Sequence, residues 1–270
     1  MSTHPIQKSA SNALKAAIVL DVALLPSLVP PEALTGQTVV VVDVLRATTT
    51  IVNSLNHGAV QVLPQPSVES ARTAHESHAG QSLLCGERGG QIVDGFHHGN
   101  SPLEYKPEVV ADKTLILATT NGTVAMERCR AAKRVLIGAM VNLEAVANVL
   151  ANENRFTVVC SGTDGEITSE DVLFAGAVID RVLSIRLAAG QAGGQLTDQA
   201  QIAVGHWRQT KQAIEDGQTL VDFFRNARGG INLVRIGHDL DIQFAANIDS
   251  IPILPELDIA SWSIRIGERS

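Results

Sequence analysis

Short apolar runs that recur along the chain and end in polar loops constrain its fold most strongly. The run TVVVV begins at Thr38, has no polar alternation, and stops at Asp43. Continuous runs of this kind predict strands that are covered on both faces, as in a parallel sheet. Strands are predicted over residues 17–22, 38–43, 59–63, 82–85, 115–119, 134–138 and 156–160.

Stretches with helical periodicity separate these runs. Helices are predicted over residues 48–57, 67–79, 122–131, 142–152 and 169–187. Beyond residue 188, AGQAGGQLT predicts a loop, TDQAQIAVGHWRQTKQAIEDG and TLVDFFRNARGG predict helices, and SIPILPEL predicts an extended segment. The alternation predicts the α/β class, with a mostly parallel sheet flanked by helices in α/β/α layers. The 270 residues are expected to form a single domain, and a division into two α/β subdomains, about 15–110 and 111–260, stays open.

Composition excludes several classes of protein. A net charge of −7 and an aromatic content of 3% disfavour a nucleic-acid-binding surface. No apolar run reaches the roughly 18 residues that a membrane-spanning helix needs, and the N-terminus lacks the pattern of a secretory signal. Cys85, Cys129 and Cys160 are too far apart for paired metal or redox motifs, which predicts a cytoplasmic protein. A homodimer stays open.

Polar loops follow four of the predicted strands. The first contains Asp43 and Arg46, and the second joins CGERGG to GFHHGNSP, ending at Pro102. The others are TTNGT, ending at Thr123, and CSGTDGEITSED, ending at Asp171. Ligands in open α/β sheets bind beyond the carboxyl ends of the strands. We therefore expect these loops to meet at one edge of a parallel sheet.

The residues in these loops suit metal-assisted phosphoryl transfer. Arg46 and Arg88 are planar donors that match phosphate or carboxylate oxygens. The Asn121 loop, at a predicted helix start, offers backbone N–H groups to an anion. Carboxylates are the ligands that Mg²⁺ prefers, usually one or two for each ion. The candidate carboxylates are Asp43, Glu87, Glu170 and Asp171.

Structural roles explain many of the same residues. Asp43 could cap the following helix or pair with Arg46, and Thr168 with Asp171 resembles an N-cap and its N3 carboxylate. The cysteines could simply pack in the core. A solvated face is the expectation for Asp239, Asp241 and Asp249.

Common phosphoryl-transfer signatures are absent from the sequence. Cys85 and Arg88 are too close together for a cysteine phosphatase loop, and Leu45 occupies the position where a haloacid-dehalogenase-type site has its second aspartate. Neither G-x-x-x-x-G-K-[ST] nor G-x-G-x-x-G occurs.

Taken together, six segments resemble the 2-phosphosulfolactate phosphatase family over residues 41–254. They are VVDVLRATTT, CGERGG, GFHHGNSP, TTNGT, CSGTDGEITSEDVLFAG and, more weakly, GHDLDIQFAANIDSIPIL. The resemblance implies an α/β fold particular to the family and a Mg²⁺-dependent phosphomonoester hydrolase acting on a small anionic phosphate ester. Family members release phosphate from (R)-2-phospho-3-sulfolactate, leaving 3-sulfolactate on a route to coenzyme M.

The motifs and the resemblance together give a candidate site. Asp43 is either a metal ligand or the nucleophile, and Arg46 neutralises substrate anions. The candidate catalytic residues are Asp43, Arg46, Glu87 and Arg88; the candidate substrate-binding residues are Thr48, Asn100, Ser101, Thr120, Asn121, Gly122, Thr123, Ser161 and Gly162; and the candidate Mg²⁺ ligands are Asp43, Glu87, Glu170 and Asp171.

Two positions depart from the family pattern. Ser161 stands where the family usually has alanine, and His97 stands where it usually has aspartate. If position 97 belongs to the site, histidine is expected to favour a more anionic substrate or a different metal. The alternatives are therefore a phosphatase for another small phosphorylated hydroxy acid, or a non-catalytic anion-binding protein on the same fold.

Overall fold

The apolar runs form one mixed sheet. The computed structural model describes residues 18–78 and 80–267, and its sheet has 11 strands in the order β5-β4-β6-β3-β11-β10-β7-β2-β8-β1-β9. The strands are β1 (Ile18–Ala23), β2 (Thr38–Val42), β3 (Gln61–Gln65), β4 (Ser82–Arg88), β5 (Gln91–Ile92), β6 (Thr114–Ala118), β7 (Arg134–Gly138), β8 (Arg155–Cys160), β9 (Gly194–Leu196), β10 (Pro255–Asp258) and β11 (Ser263–Ile266).

Two parallel blocks make up most of this sheet. One contains β4, β6 and β3, and the other contains β7, β2, β8, β1 and β9. The antiparallel hairpin β10–β11 lies between them and pairs with β7 on one side and β3 on the other. The strands of one block therefore run antiparallel to those of the other, so their carboxyl ends do not all lie at the same edge of the sheet. Strands from both predicted subdomains also alternate within it, because β2 pairs with β7 and β8.

Helices cover the sheet on both faces. One apolar core packs the strand residues Val40 and Val158 with the helix residue Phe174, and a second packs the strand residues Val39 and Val41 with the helix residue Ile51. The helices are α1 (Ala47–Asn56), α2 (Val68–Ser77), α3 (Pro107–Val110), α4 (Gly122–Arg128), α5 (Leu143–Leu150), α6 (Ser169–Ala188), α7 (Asp198–Glu215), α8 (Leu220–Asn226), α9 (Arg228–Arg235) and α10 (Asp239–Ala245).

The predicted α/β class is confirmed, and each predicted strand and helix before residue 188 is present. Observed ends lie within three residues of the predicted ones, except that Ala17 and Ala79 fall outside the described residues, as does the N-terminal segment. The helix predicted over TLVDFFRNARGG is two helices, because the chain is extended at Ala227. The three cysteines are buried and unpaired, as packing predicts.

Five short elements have no counterpart in the sequence-based prediction: β5, β9, β11, α3 and α10. Each has seven residues or fewer, and β9 and β11 are defined by pairing with distant strands rather than by their own pattern. Within residues 18–78 and 80–267, none of the helices combines the length and apolarity that crossing a membrane requires.

Candidate active site

The polar loops meet at a pocket of about 280 Å³. Loops that follow β2, β4, β6 and β8 supply part of its wall, and α9 supplies the rest. The predicted meeting of the loops is therefore correct, although the strands do not share one parallel edge. The lining residues are Asp43, Leu45, Arg46, Glu87, Gly89, Gly90, Asn100, Thr120, Asn121, Thr163, Asp164, Gly229, Asn232, Leu233, Arg235 and Ile236.

Asp43 lies where the first turns of two helices approach each other. Its Oδ1 accepts the N–H of Ala47 in α1 at 3.2 Å, and its Oδ2 lies beside Gly122, the first residue of α4. A Cβ atom on Gly122 would come within 2.8 Å of the Ala47 Cβ and 3.0 Å of Asp43 Oδ2, so this approach needs glycine. Asp43 thus stabilises the start of α1 without being its N-cap, which is Arg46, while its second oxygen faces the junction of the two helices.

Several buried carboxylates lie close together in this region, and the pKa values of Asp43 and Glu170 are raised. Burial raises the pKa of Asp43 to about 7, and the nearby Glu87 charge adds to the rise. Arg46 and the N–H groups of Ala47 and Gly122 oppose the rise but do not cancel it. Burial also raises the pKa of Glu170 to about 7, with a contribution from the Asp43 charge. The site therefore has more buried negative charge than its own donors stabilise.

Glu87 uses both carboxylate oxygens to hold loop backbone. Oε2 accepts the N–H of Gly90 at 2.8 Å, and Oε1 accepts the N–H of Thr120 at 2.8 Å. One buried side chain therefore fixes the loop after β4 against the loop after β6. Asn121 continues this connection, because its Oδ1 accepts the N–H of Asp164 at 3.2 Å.

Asp171 performs the same task between two other loops. Its Oδ1 accepts the Val44 N–H at 2.8 Å, and its Oδ2 accepts the Gly162 N–H at 3.0 Å. The predicted capping role for Asp171 is therefore wrong, because the carboxylate reaches the loops after β2 and β8 instead of its own helix end. Burial, followed by the charges of Glu170 and Asp43, raises its pKa well above the usual range.

Arg46 is buried and held on two sides. Its Nη1 donates to Asp241 Oδ2 at 2.7 Å, and its Nη2 donates to the Gly90 carbonyl at 2.7 Å. Asp241 also accepts from Ser101 Oγ at 2.6 Å and lies 3.1 Å from His238 Nδ1. The expected solvated face is thus wrong for Asp241, which is only 2% exposed. No local pattern in the sequence distinguished Asp241, since Arg46 and Ser101 lie far away along the chain.

The remaining predicted residues divide between pocket and scaffold. Asn100, Thr120 and Asn121 line the pocket, and Oδ1 of Asn100 is buried without a hydrogen-bond partner in the described part of the chain. Thr48 donates to the Asp43 carbonyl at 2.9 Å, and Thr123 donates to the Thr119 carbonyl at 2.8 Å. These two hydroxyls therefore stabilise helix starts. Ser101, Gly122, Thr123, Ser161, Gly162, Glu170 and Asp171 are buried next to these loops and do not line the cavity.

Arg88 lies outside the pocket. Its Nη1 donates to the backbone carbonyls of Glu87 at 2.7 Å and Ala118 at 3.4 Å, and the residue is exposed. Neighbouring residues of a strand point to opposite faces. Because Glu87 faces the pocket, Arg88 cannot share that direction.

His97 also lies outside the pocket. The ring Nδ1 of His97 accepts the backbone N–H of Leu84 at 2.9 Å, and the backbone N–H of His97 donates to the Leu84 carbonyl at 2.9 Å. The imidazole meets His75 edge-on, with the ring centroids 5.3 Å apart. An aspartate carboxylate can accept the same N–H, so the departure at position 97 preserves a backbone contact. His97 makes no contact with the pocket through which it could affect the choice of substrate or metal.

Helix α9 contributes pocket residues that the sequence did not single out. Gly229, Asn232 and Ile236 recur at helical spacing and line the cavity with Arg235. The family resemblance in this part of the chain was weak and began after Arg235. Only the position of α9 against the strand-end loops identifies these residues.

The side chains around Asp43 include oxygens of the kind that Mg²⁺ prefers. Within residues 18–78 and 80–267, no three His, Cys, Asp or Glu side chains form a ready-made metal site. Mg²⁺ typically needs only one or two carboxylates beside substrate oxygens and water. Asp43 Oδ2 and the buried Glu170 Oε2, which has no hydrogen-bond partner in the described part of the chain, remain available for it. Glu87 and Asp171 already accept backbone N–H groups with both oxygens.

The part of the chain that matches known proteins includes every residue that lines this pocket. The family model described as 2-phosphosulpholactate phosphatase matches residues 23–259. A protein of Clostridium novyi (strain NT) named "Probable 2-phosphosulfolactate phosphatase" is 36% identical over 238 residues, 88% of this chain and 96% of that protein. A protein of Synechococcus sp. (strain CC9605) with the same name is 41% identical over 229 residues, 83% of this chain and 90% of that protein. A protein of Thermotoga maritima is 34% identical over 221 residues, which is 82% of this chain and 89% of that protein.

Asp241→Asn should destabilise the protein by about 3–5 kcal/mol, because it leaves the buried Arg46 charge without its partner. Urea unfolding at neutral pH measures the change. Asp239→Asn is the matched control, since Asp239 pairs with Arg225 on the surface, where solvent screens the pair, and its loss should leave the stability close to that of the parent. Equal, small losses in the two variants would show that the Arg46–Asp241 pair does not stabilise the fold.

His97→Asp should leave the order of kcat/KM values among 2-phosphosulfolactate and simpler phosphate esters unchanged, with each value within about twofold of the parent. The carboxylate can still accept the Leu84 N–H. His97→Ala leaves that N–H without its acceptor and should lose about 1–3 kcal/mol of stability in urea unfolding. A changed order of substrates in the aspartate variant would place position 97 within reach of the substrate.

Proposed function

Because the chain belongs to the 2-phosphosulfolactate phosphatase family, we propose that it hydrolyses 2-phosphosulfolactate to 3-sulfolactate and phosphate with Mg²⁺ as cofactor. Family membership makes it a phosphoric monoester hydrolase. The substrate and the metal are the parts that we propose. We also propose a cytoplasmic location, supported by Cys85, Cys129 and Cys160, which are buried and unpaired.

One observation carries the proposal: a buried carboxylate, Asp43, at a pocket wall beside the first turns of α1 and α4. Helix N-termini favour negative charge, so the same region suits the oxygens of a phosphate group. The pocket of about 280 Å³ suits a small ester. Asn100, Thr120 and Asn121 supply further polar groups to it.

The excess of negative charge supports a divalent cation. Asp43 would hold Mg²⁺ at the pocket wall with the buried Glu170 behind it, and the side-chain amide oxygen of Asn100 would be a further hard ligand at the pocket. When bound, the ion would neutralise phosphate oxygens and polarise the phosphorus centre. The protein residues hold the ester: the loops that Glu87 joins fix Thr120 and Asn121 in place, and the Asp171 contacts fix the loop that carries Asp43 and Arg46.

Asp43 has two chemical roles consistent with this geometry. As a nucleophile it would attack phosphorus, break the ester P–O bond and release the substrate's alkoxide, which takes a proton from water, and the resulting acyl phosphate would then be cleaved by water to phosphate and the free carboxylate. As a ligand it would leave the attack to water. Both roles require the ionised carboxylate, and both are helped by the N–H groups of Ala47 and Gly122, which favour the charged form. A phosphoryl group trapped on Asp43 in a rapid quench distinguishes the first role from the second.

Phosphate release from 2-phosphosulfolactate should require added Mg²⁺ and stop in excess chelator. Asp43→Asn keeps the size of the side chain but removes its charge, and should lower kcat by roughly 100-fold or more, the scale of losing a group that acts on the reacting centre. Inorganic phosphate release measures both effects.

Asp216→Asn is the control for that experiment, because this carboxylate is exposed beyond α7, outside the pocket. It should keep parental activity. Full phosphate release in chelator would reject the metal, and near-parental activity of Asp43→Asn would reject the role of Asp43.

Mg²⁺ should stabilise the folded protein more at pH 8 than at pH 5. The pKa values of Asp43 and Glu170 are raised to about 7 in the folded protein, so without metal their contribution to stability falls as pH rises from about 4 to about 7. Above pH 7 both groups are ionised and can bind the ion, whereas at pH 5 protons compete. Thermal unfolding with and without Mg²⁺ measures the effect. A Mg²⁺ shift that is the same at both pH values, or that survives in Asp43→Asn, would place the ion elsewhere.

A further inference from the structure

Arg46, the pocket arginine predicted from the sequence, is committed to the protein itself. Two of its nitrogens donate to Asp241 and to the Gly90 carbonyl, and Asp241 balances its charge within the fold. Arg88, the second predicted arginine, is exposed and donates to backbone carbonyls outside the pocket. The lining also includes Asp43, Glu87 and Asp164. A substrate with several negative charges therefore needs another cation from the protein.

The position of Arg235 allows it to supply this positive charge. It is the last residue of α9, lines the cavity and is exposed. Among residues 18–78 and 80–267, no carboxylate lies within 4.0 Å of its guanidinium, and no hydrogen bond from its side chain is formed. The charge and all the donors of this guanidinium thus remain available to a ligand.

The surroundings of Arg235 favour a small anionic group. Asn232 precedes it by three residues, so both side chains lie on neighbouring positions of one helix face and both line the cavity. An amide and a guanidinium together match the several oxygens of a carboxylate or sulfonate. The phosphate-binding features described above come from strand-end loops, whereas Arg235 and Asn232 come from α9, a different wall of the same pocket.

We propose that Arg235, assisted by Asn232, binds a carboxylate or sulfonate of the substrate that is separate from the reacting phosphate, and so makes the enzyme prefer phosphate esters with further anionic groups. The proposal rests on the proposed function, and it assigns to α9 the discrimination among substrates. Arg235 acts on the bound ester as a whole, so its loss should raise KM more than it lowers kcat.

The test compares three esters: 2-phosphosulfolactate, 2-phospholactate, which lacks the sulfonate, and isopropyl phosphate, which lacks both further anions. Arg235→Gln should lower kcat/KM for 2-phosphosulfolactate roughly 10- to 100-fold, the size of one or two charged hydrogen bonds, and for isopropyl phosphate by about twofold or less. Arg235→Lys should recover part of the loss, because it restores the charge without the planar fork. The value for 2-phospholactate identifies which anion is bound: a large loss indicates the carboxylate, and a small one indicates the sulfonate.

Arg155→Gln is the matched control. Arg155 is also exposed, and it begins β8, at the opposite end of that strand from the Cys160 loop. It should leave all three kcat/KM values unchanged. An equal loss for all three esters in Arg235→Gln would assign Arg235 to the phosphate, and unchanged values would remove it from the site. Either result overturns the proposal.

A binding measurement separates this proposal from the proposed function. Calorimetric titration with 3-sulfolactate, which carries both further anions and no phosphate, should show binding to the parent that weakens roughly 10-fold or more in Arg235→Gln. If the parent hydrolyses none of the esters but this difference in binding is found, the proposed reaction fails and the anion site stands. If the parent hydrolyses 2-phosphosulfolactate and binding is equal in both proteins, the anion site fails and the reaction stands.

Discussion

Buried negative charge around Asp43 governs the arrangement of the pocket. Asp43, Glu87, Glu170 and Asp171 are each at most 7% exposed, and a buried carboxylate is costly unless hydrogen bonds or cations stabilise it. The chain supplies much of that stabilisation from backbone N–H groups, which come from loops after different strands. The carboxylates need these N–H groups and the loops need the carboxylates, so charge and loop geometry are mutually dependent.

The carboxylates divide into two kinds by what their oxygens contact. Glu87 and Asp171 place both oxygens on loop backbone, so they position other residues. Asp43 and Glu170 retain less satisfied oxygens and have pKa values near neutrality. The arginines divide in the same way, since Arg46 is held by Asp241 whereas Arg235 is open to the cavity. Residues of the second kind are the ones that can exchange protein contacts for ligand contacts.

Local sequence patterns predicted the parts of this structure that depend on local interactions. The continuous apolar runs identified the strands, and Asp43 was found because it directly follows one of them. Asp241 and Arg235 could not be found this way, because their importance comes from contacts across the fold. The extended segment that contains most of β10 was predicted, but its hairpin with β11 was missed for the same reason, and with it the antiparallel part of the sheet.

The position of that hairpin has a consequence for how the protein is made. Its strands lie within the last residues of the described chain, yet they sit between the two parallel blocks of the sheet. During synthesis each block can begin to form from residues already released by the ribosome, but their junction must wait for the hairpin. Contacts between β10 and β7, or between β11 and β3, also join residues far apart in sequence, and closing such long loops is slow. The pocket, which takes residues from both blocks, is therefore completed only after this hairpin has been synthesised and paired.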